Sequence, residues 1–279
     1  SGPWRVGAAQ RLTSGAGALW GVAISSDGRL LLPITEVAVD LMILPVQSNS
    51  GTAAGAPHKV PLDTTIKGIP RLSRDGLYLT YPAYVSWAAG RIELRVRNLS
   101  TQQELVHPSK STSPFINPKL SHDGAMLAYQ ELMAGQKWLS FVGPSAEYPG
   151  HKVCEDCAIL AFFPDPHQLL IQYGLARLVR HNLADGSEVP LVESPLGRFP
   201  EAVPSPDGRW LAFLFGPPGG RLEAFLAPLG DTAAPRARWV RLLPDRASAE
   251  SLNWSQDAGL VYYVSDRDEH WCIWAQRID

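Results

Sequence analysis

The sequence has no apolar run long enough to cross a bilayer as a helix, no segment with a sustained 3.6-residue apolar period, and no excess of charge of one sign. The first absence excludes a membrane-spanning helix from these residues, and the second excludes a mainly helical fold. Lys and Arg number 25 against 27 Asp and Glu, for a net charge of −2. They are scattered rather than massed, so there is no basic footprint for nucleic acid and none for direct contact with an anionic membrane. No G-x-S-x-G elbow is present, which removes the nucleophile of an α/β-hydrolase. No linker or low-complexity run divides the 279 residues. Cysteine is scarce, with three in the whole chain.

The chain does have a repeated turn. Residues 205–213 are S-P-D-G-R-W-L-A-F. Ser opens a type I turn, Pro presets the second φ, and Gly closes it where a positive φ costs little. Ser205 and Asp207 can also bond nearby backbone N–H groups. The residues from Arg209 to Phe215 are apolar at nearly every position rather than every second one, the pattern of a strand covered on both faces. The same punctuation recurs as Ser25-Ser26-Asp27-Gly28, Ser73-Arg74-Asp75-Gly76, Ser121-His122-Asp123-Gly124 and Ser255-Gln256-Asp257-Ala258-Gly259, with a degenerate copy at Phe163-Pro164-Asp165-Pro166. The anchors Asp27, Asp75, Asp123, Asp165, Asp207 and Asp257 lie 42 to 50 residues apart, the period of four-stranded propeller blades.

Each unit continues in the same order after its anchor: an apolar strand, a short connection, a second strand and a shorter polar one. A further strand leads into the turn, as in G-I-P-R-L-S and F-P-E-A-V-P-S. The stretch Q-S-N-S-G-T-A-A-G-A-P-H-K fits as a loop inside the first unit. The last unit stops one strand short, while G-A-A-Q-R-L-T-S-G precedes the first anchor without a unit of its own. The expectation is an all-β, six-bladed β-propeller spanning residues 1–279 as a single domain. An N-terminal strand would complete the last blade and close the ring, leaving few exposed edges.

Arg11-Leu12-Thr13 followed by a strand, then S-P-D-G-R-x-L-A-F, then a paired strand ending in C-I-W-A-Q-R-I-D, resembles the WD40-like, TolB-type propeller repeat. The resemblance covers essentially the whole chain, although the fourth unit has lost both Ser and Gly. The P-W-R-V opening with R-L-T is similar to that of C-terminal propellers in bacterial signalling proteins, where a kinase or winged-helix regulator and a membrane segment come first. It implies a non-catalytic recognition module without a cofactor: the sensor or protein-interaction domain of a larger, membrane-anchored protein. Such a domain would be extracytoplasmic and would bind a protein or small-molecule ligand at one face of the ring. The alternative is a propeller hydrolase or lyase whose metal-dependent site at the central channel is assembled from separate blades.

Candidate site residues are few. His151, Cys154 and Cys157 stand at ligand-like spacing for zinc, with His167 further on, but the second Cys pair of a structural site is missing. Cys154 and Cys157 could form a disulfide in an oxidising compartment, or remain thiols in a blade-to-blade connection. Glu155 and Asp156 between them argue against an activated redox thiol. Similar propellers carry a C-x-x-C at this connection, which implies a structural role. Cys272, on a strand, is expected to be a small buried hydrophobe. Asp266, Asp268, Glu269 and His270 fall where a hairpin is due and lack the spacing of a calcium loop. Trp20 and Trp87 sit at strand entries or connections, where aromatics could line a binding face.

Overall fold

The computed structural model describes residues 18–19, 23–24, 30–31, 34–35, 39–47, 50–60, 62–63, 65–86, 90–109, 117–133, 137–243 and 247–278. The chain divides into two compact units, residues 1–39 and 40–279. The first contains β1 (Ala18–Leu19), β2 (Ala23–Ile24), β3 (Leu30–Leu31) and β4 (Ile34–Thr35). β1 pairs with β4 and β2 with β3, both antiparallel.

The second unit is a β-propeller with five blades. It opens with a hairpin of β5 (Met42–Ile43) and β6 (His58–Lys59). The first blade holds β7 (Ile66–Lys67), β8 (Arg71–Leu72), β9 (Tyr78–Ser86), β10 (Arg91–Asn98) and β11 (Glu104–Pro108), with both short strands on β9. The second holds β12 (Lys119–Leu120), β13 (Met126–Met133), β14 (Lys137–Pro144) and β15 (His151–Glu155). The third holds β16 (Cys157–Phe162), β17 (Gln168–Tyr173), β18 (Arg177–Asn182) and β19 (Glu188–Glu193). The fourth holds β20 (Ala202–Pro204), β21 (Trp210–Phe215), β22 (Glu223–Pro228) and β23 (Val240–Arg241). The fifth holds β24 (Ala249–Trp254), β25 (Leu260–Ser265) and β26 (Cys272–Arg277). The blade pairings are antiparallel and, apart from β7 on β9, join chain neighbours through hairpin-type connections.

The sequence predicts six blades and the structure has five. The repeat around Asp27 contributes only two-residue strand pairs among the described residues. The five blades are built instead on second strands of six to nine residues. Residues 1–14, expected to close the ring, lie outside the described residues, as does the Asp27 turn.

The repeated turn works through its two side chains. In the fourth blade Ser205 Oγ donates to Asp207 Oδ1 at 2.5 Å and accepts the N–H of Trp210 at 2.9 Å, while Asp207 accepts the N–H of Arg209 at 3.1 Å. The same set recurs at Ser73/Asp75, Ser121/Asp123 and Ser255/Asp257. These bonds satisfy backbone groups where the inner strand turns into the second one. Gly208 takes φ +68°, a conformation that the Cβ of other residues resists. In the degenerate copy Asp165 still accepts the N–H of His167 at 2.9 Å, so the turn survives the loss of Ser and Gly.

Five apolar clusters make up the core, each between successive sheets. Leu94 and Val96 of the first blade meet Leu127 and Tyr129 of the second. Ala128 and Val142 meet Ile159 and Ile171 of the third. Leu170 and Leu178 meet Phe199, Phe213 and Phe215 of the fourth. Leu214 and Leu226 meet Leu252, Trp254 and Tyr263 of the fifth. Leu41 and Ile43 of the opening hairpin pack with Leu79, Tyr81 and Ala83. Each blade between two others is therefore covered on both faces, which explains its continuous apolar strands.

Ser205→Ala leaves the Trp210 N–H without its acceptor beside a fully buried residue, while the Arg209 N–H keeps Asp207, and it should cost about 1–3 kcal/mol in chemical denaturation. Ser187→Ala, in an exposed turn, should stay within about 0.5 kcal/mol. Equal effects at the two positions would contradict this account of the turn.

Candidate recognition cavity

The first strands of successive blades abut, β8 on β12, β12 on β16, β16 on β20 and β20 on β24. At the end where these strands begin, the first four blades surround a cavity of about 550 Å³. The first blade contributes Ile69, Arg71, Pro82 and Tyr84, and the second Asn117, Pro118, Gln130 and Trp138. The third contributes Asp156, Cys157, Ala158, Gln172 and Gly174, and the fourth Pro200 and Glu201. Proline, aromatic and aliphatic walls carry a few polar groups between them, the usual make-up of a ligand site.

Two of those polar groups hold the blades in place. Gln130 Nε2 donates to the carbonyl of Cys157 at 2.7 Å, and Gln172 Nε2 donates to the carbonyl of Phe199 at 2.8 Å. In each case a second strand of one blade satisfies a carbonyl at the entry to the next blade's inner strand. Glu201 makes a similar link, since its Oε1 accepts the N–H of Leu252 at 3.3 Å.

The charges beside the cavity are unequal. Lys119 is 7% exposed, and among the described residues its ammonium makes one hydrogen bond, to Oδ1 of Asn117 at 2.9 Å. Arg71 has an ion pair with Glu201 at 3.7 Å, too long for a hydrogen bond. Burial pushes the Lys119 ammonium down to about 7; the Arg71 guanidinium pushes the same way and Glu201 opposes it. Burial also raises the Tyr84 phenol. At the other end of the same strands, Arg74 reaches across to the carbonyl of Ser255 at 3.4 Å, and its buried Nε has no partner among the described residues.

No family model matches the sequence, and no curated protein matches it. Solved structures do match. TolB from Acinetobacter baumannii superposes with a TM-score of 0.66 at 17% identity, over 85% of this chain and 57% of that one. A putative TolB from Agrobacterium tumefaciens gives 0.61 at 17% identity, over 80% of each chain. A chain of the nidogen/laminin complex gives 0.62 at 10% identity, over 86% of each. In fold, the protein is a TolB-like β-propeller. It spans a little over half the length of the Acinetobacter protein.

Cys154 and Cys157 of this TolB-like propeller are joined by a disulfide, with Cα atoms 6.0 Å apart, across the join between β15 and β16. His151 begins β15 and is exposed. Among the described residues no group of three or more His, Cys, Asp or Glu side chains is placed to hold a metal ion. Trp20 and Trp87 lie outside the described residues. Asp266, Asp268, Glu269 and His270 form the β25–β26 turn, where Asp266 accepts the N–H of Ser248 at 2.7 Å. Cys272 corrects the sequence expectation: it is exposed, at the start of β26, the outer strand of a three-stranded blade.

The cavity residues themselves were not singled out in the sequence, although a signal exists. Gln130 and Gln172 each stand seven residues after an anchoring Asp, in strands otherwise apolar, and Pro82 holds the same offset after Asp75. Ile69, Asn117 and Glu201 each stand six residues before one. Fixed offsets from a repeated turn mark positions that the fold brings around one axis.

Lys119 holds a proton to about 10.5 in the unfolded chain and releases it near 7 when folded. Between those values the unfolded chain binds more protons, so stability should rise with pH by up to about 1.4 kcal/mol per unit from 7 to 9. Lys119→Met should flatten that slope and raise stability at pH 7, as followed by urea denaturation. A wild-type stability independent of pH across this range would contradict the buried ammonium.

Proposed function

We propose that this chain is a non-catalytic recognition module that binds a partner protein or small ligand at the cavity among the inner strands. The observation that carries the reading is the cavity itself: about 550 Å³, mostly apolar, with a buried cation beside it and polar groups offered from four blades. The nidogen/laminin match adds a propeller of similar fold taken from a protein complex. The module serves as the sensor or protein-interaction domain of a larger bacterial signalling or regulatory protein. It works outside the cytoplasm, where the Cys154–Cys157 disulfide persists. A metal-dependent hydrolase is the weaker reading, because the described cavity lining has two carboxylates, Asp156 and Glu201, and no histidine. Metal catalysis needs a ligand set that leaves one position open for substrate.

Site-specific photocrosslinking in the native host tests this. A benzophenone side chain at Ile69, on the cavity rim and 64% exposed, should give a discrete adduct, whereas one at Val240, exposed on the outer strand β23, should not. Adducts at Val240 with none at Ile69 would move recognition away from the cavity.

A further inference from the structure

We propose that the cavity takes a basic side chain of a partner polypeptide, with the Asp156 carboxylate as its counter-charge and Trp138 and Tyr84 beside its stem. The proposal rests on the reading of the cavity as the recognition site and adds the chemistry of what it recognises.

The charges in the wall set the sign. Asp156, Glu201 and Arg71 are the charged side chains of the lining. Arg71 and Glu201 face each other at 3.7 Å and offset one another, and Glu201 also accepts the Leu252 N–H. Asp156 is exposed, and its carboxylate has no hydrogen bond or ion pair among the described residues. The wall therefore carries one unmatched negative charge. Lys119 is not in the wall. Its ammonium donates to Asn117, and burial brings it down to about 7, so near neutral pH it is charged only about half of the time.

Asp156 is offered from a fixed turn. Its φ is +51°, a left-handed conformation that most side chains resist and that Asp and Asn tolerate best. The Cys154–Cys157 disulfide spans the residue, and its N–H donates to the Trp138 carbonyl at 2.9 Å. A carboxylate on so constrained a backbone has little left to order when a ligand binds. Trp138 and Tyr84 are half-buried in the same wall. An ammonium or guanidinium is drawn to aromatic faces, to Trp most of all, and its methylene stem packs on apolar surface.

The rim points to a polypeptide rather than a free amine. Ile69 is 64% exposed in the lining, and Leu175 and Leu196 are 57% and 72% exposed. The two leucines belong to the connections that supply Gly174 and Pro200 to the wall, and the Phe199 N–H joins those connections by donating to the Leu175 carbonyl at 3.0 Å. Exposed apolar side chains beside a cavity mark contact with a larger partner, whereas a small amine would fill the interior and leave the rim bare.

Isothermal titration with four probes tests this: acetyl-Leu-Lys-Leu-amide, the same peptide with norleucine for lysine, the same with glutamate for lysine, and n-butylamine. The lysine peptide should bind about tenfold tighter than the norleucine peptide and tighter still than the other two. Asp156→Asn keeps a residue that tolerates the left-handed backbone, and it should lower lysine-peptide affinity about tenfold while leaving the norleucine peptide unchanged. Asp156→Gly, which suits the positive φ, should do the same. Thermal unfolding of each variant checks that it is folded. Equal affinity for the lysine and norleucine peptides, or tighter binding of the glutamate peptide, would overturn the basic side chain and leave the cavity as a recognition site. A lysine preference that survives Asp156→Asn would overturn Asp156 as the counter-charge. Binding of n-butylamine as tight as that of the lysine peptide would overturn the polypeptide in favour of a free amine. No lysine-peptide binding up to about 10 mM would overturn the assignment outright, and if Ile69 also gave no crosslink, the cavity reading would fall with it.

Discussion

A sheet that is apolar on both faces has to be covered on both faces, and that requirement organises the second unit. The five apolar clusters lie between successive sheets rather than inside any one of them, so each blade depends on its neighbours. With the faces taken up in packing, polar function is left to strand ends and connections. The inner strands start at one end around the cavity and finish at the other in the Ser–Asp turns. Those turns take up backbone hydrogen bonds where each inner strand reverses, which frees the opposite end to differ from blade to blade.

The polar groups at the varied end have two kinds of work. Gln130, Gln172 and Glu201 join one blade to the next through main-chain groups, and their satisfied hydrogen bonds hold the cavity walls apart at a set distance. Among the described residues Lys119 and Arg71 do not join blades by hydrogen bonds: Lys119 donates to Asn117 of its own blade, and Arg71 keeps an ion pair with Glu201.

The fold could be inferred from the sequence because its signal is local: a Ser-x-Asp-Gly turn followed by a strand that is apolar at every position, repeated at blade spacing. The blade count was less legible. The turn at Asp27 matches the others in sequence, yet it lies outside the described residues, and the five blades are built on the other five anchors. Cys272 shows the same limit, since its strand reads as a core strand in sequence and yet is the outer strand of its blade, where the cysteine is exposed. The cavity was the least legible part, because Arg71, Lys119 and Glu201 come from three blades and are ordinary charged residues until the fold brings them together. Catalytic and metal motifs depend on close sequence spacing, and a site built from strand starts far apart in the chain has none.

The central claim is that a buried, under-partnered ammonium sits beside the cavity. The most direct measurement is an NMR pH titration of the Lys119 side chain in protein with isotope-labelled lysine, assigned by the Lys119→Met variant. The account predicts a midpoint near 7, far below the ordinary lysine value. A midpoint near 10.5 would mean that the ammonium is solvated or already paired with an anion, and would contradict the account.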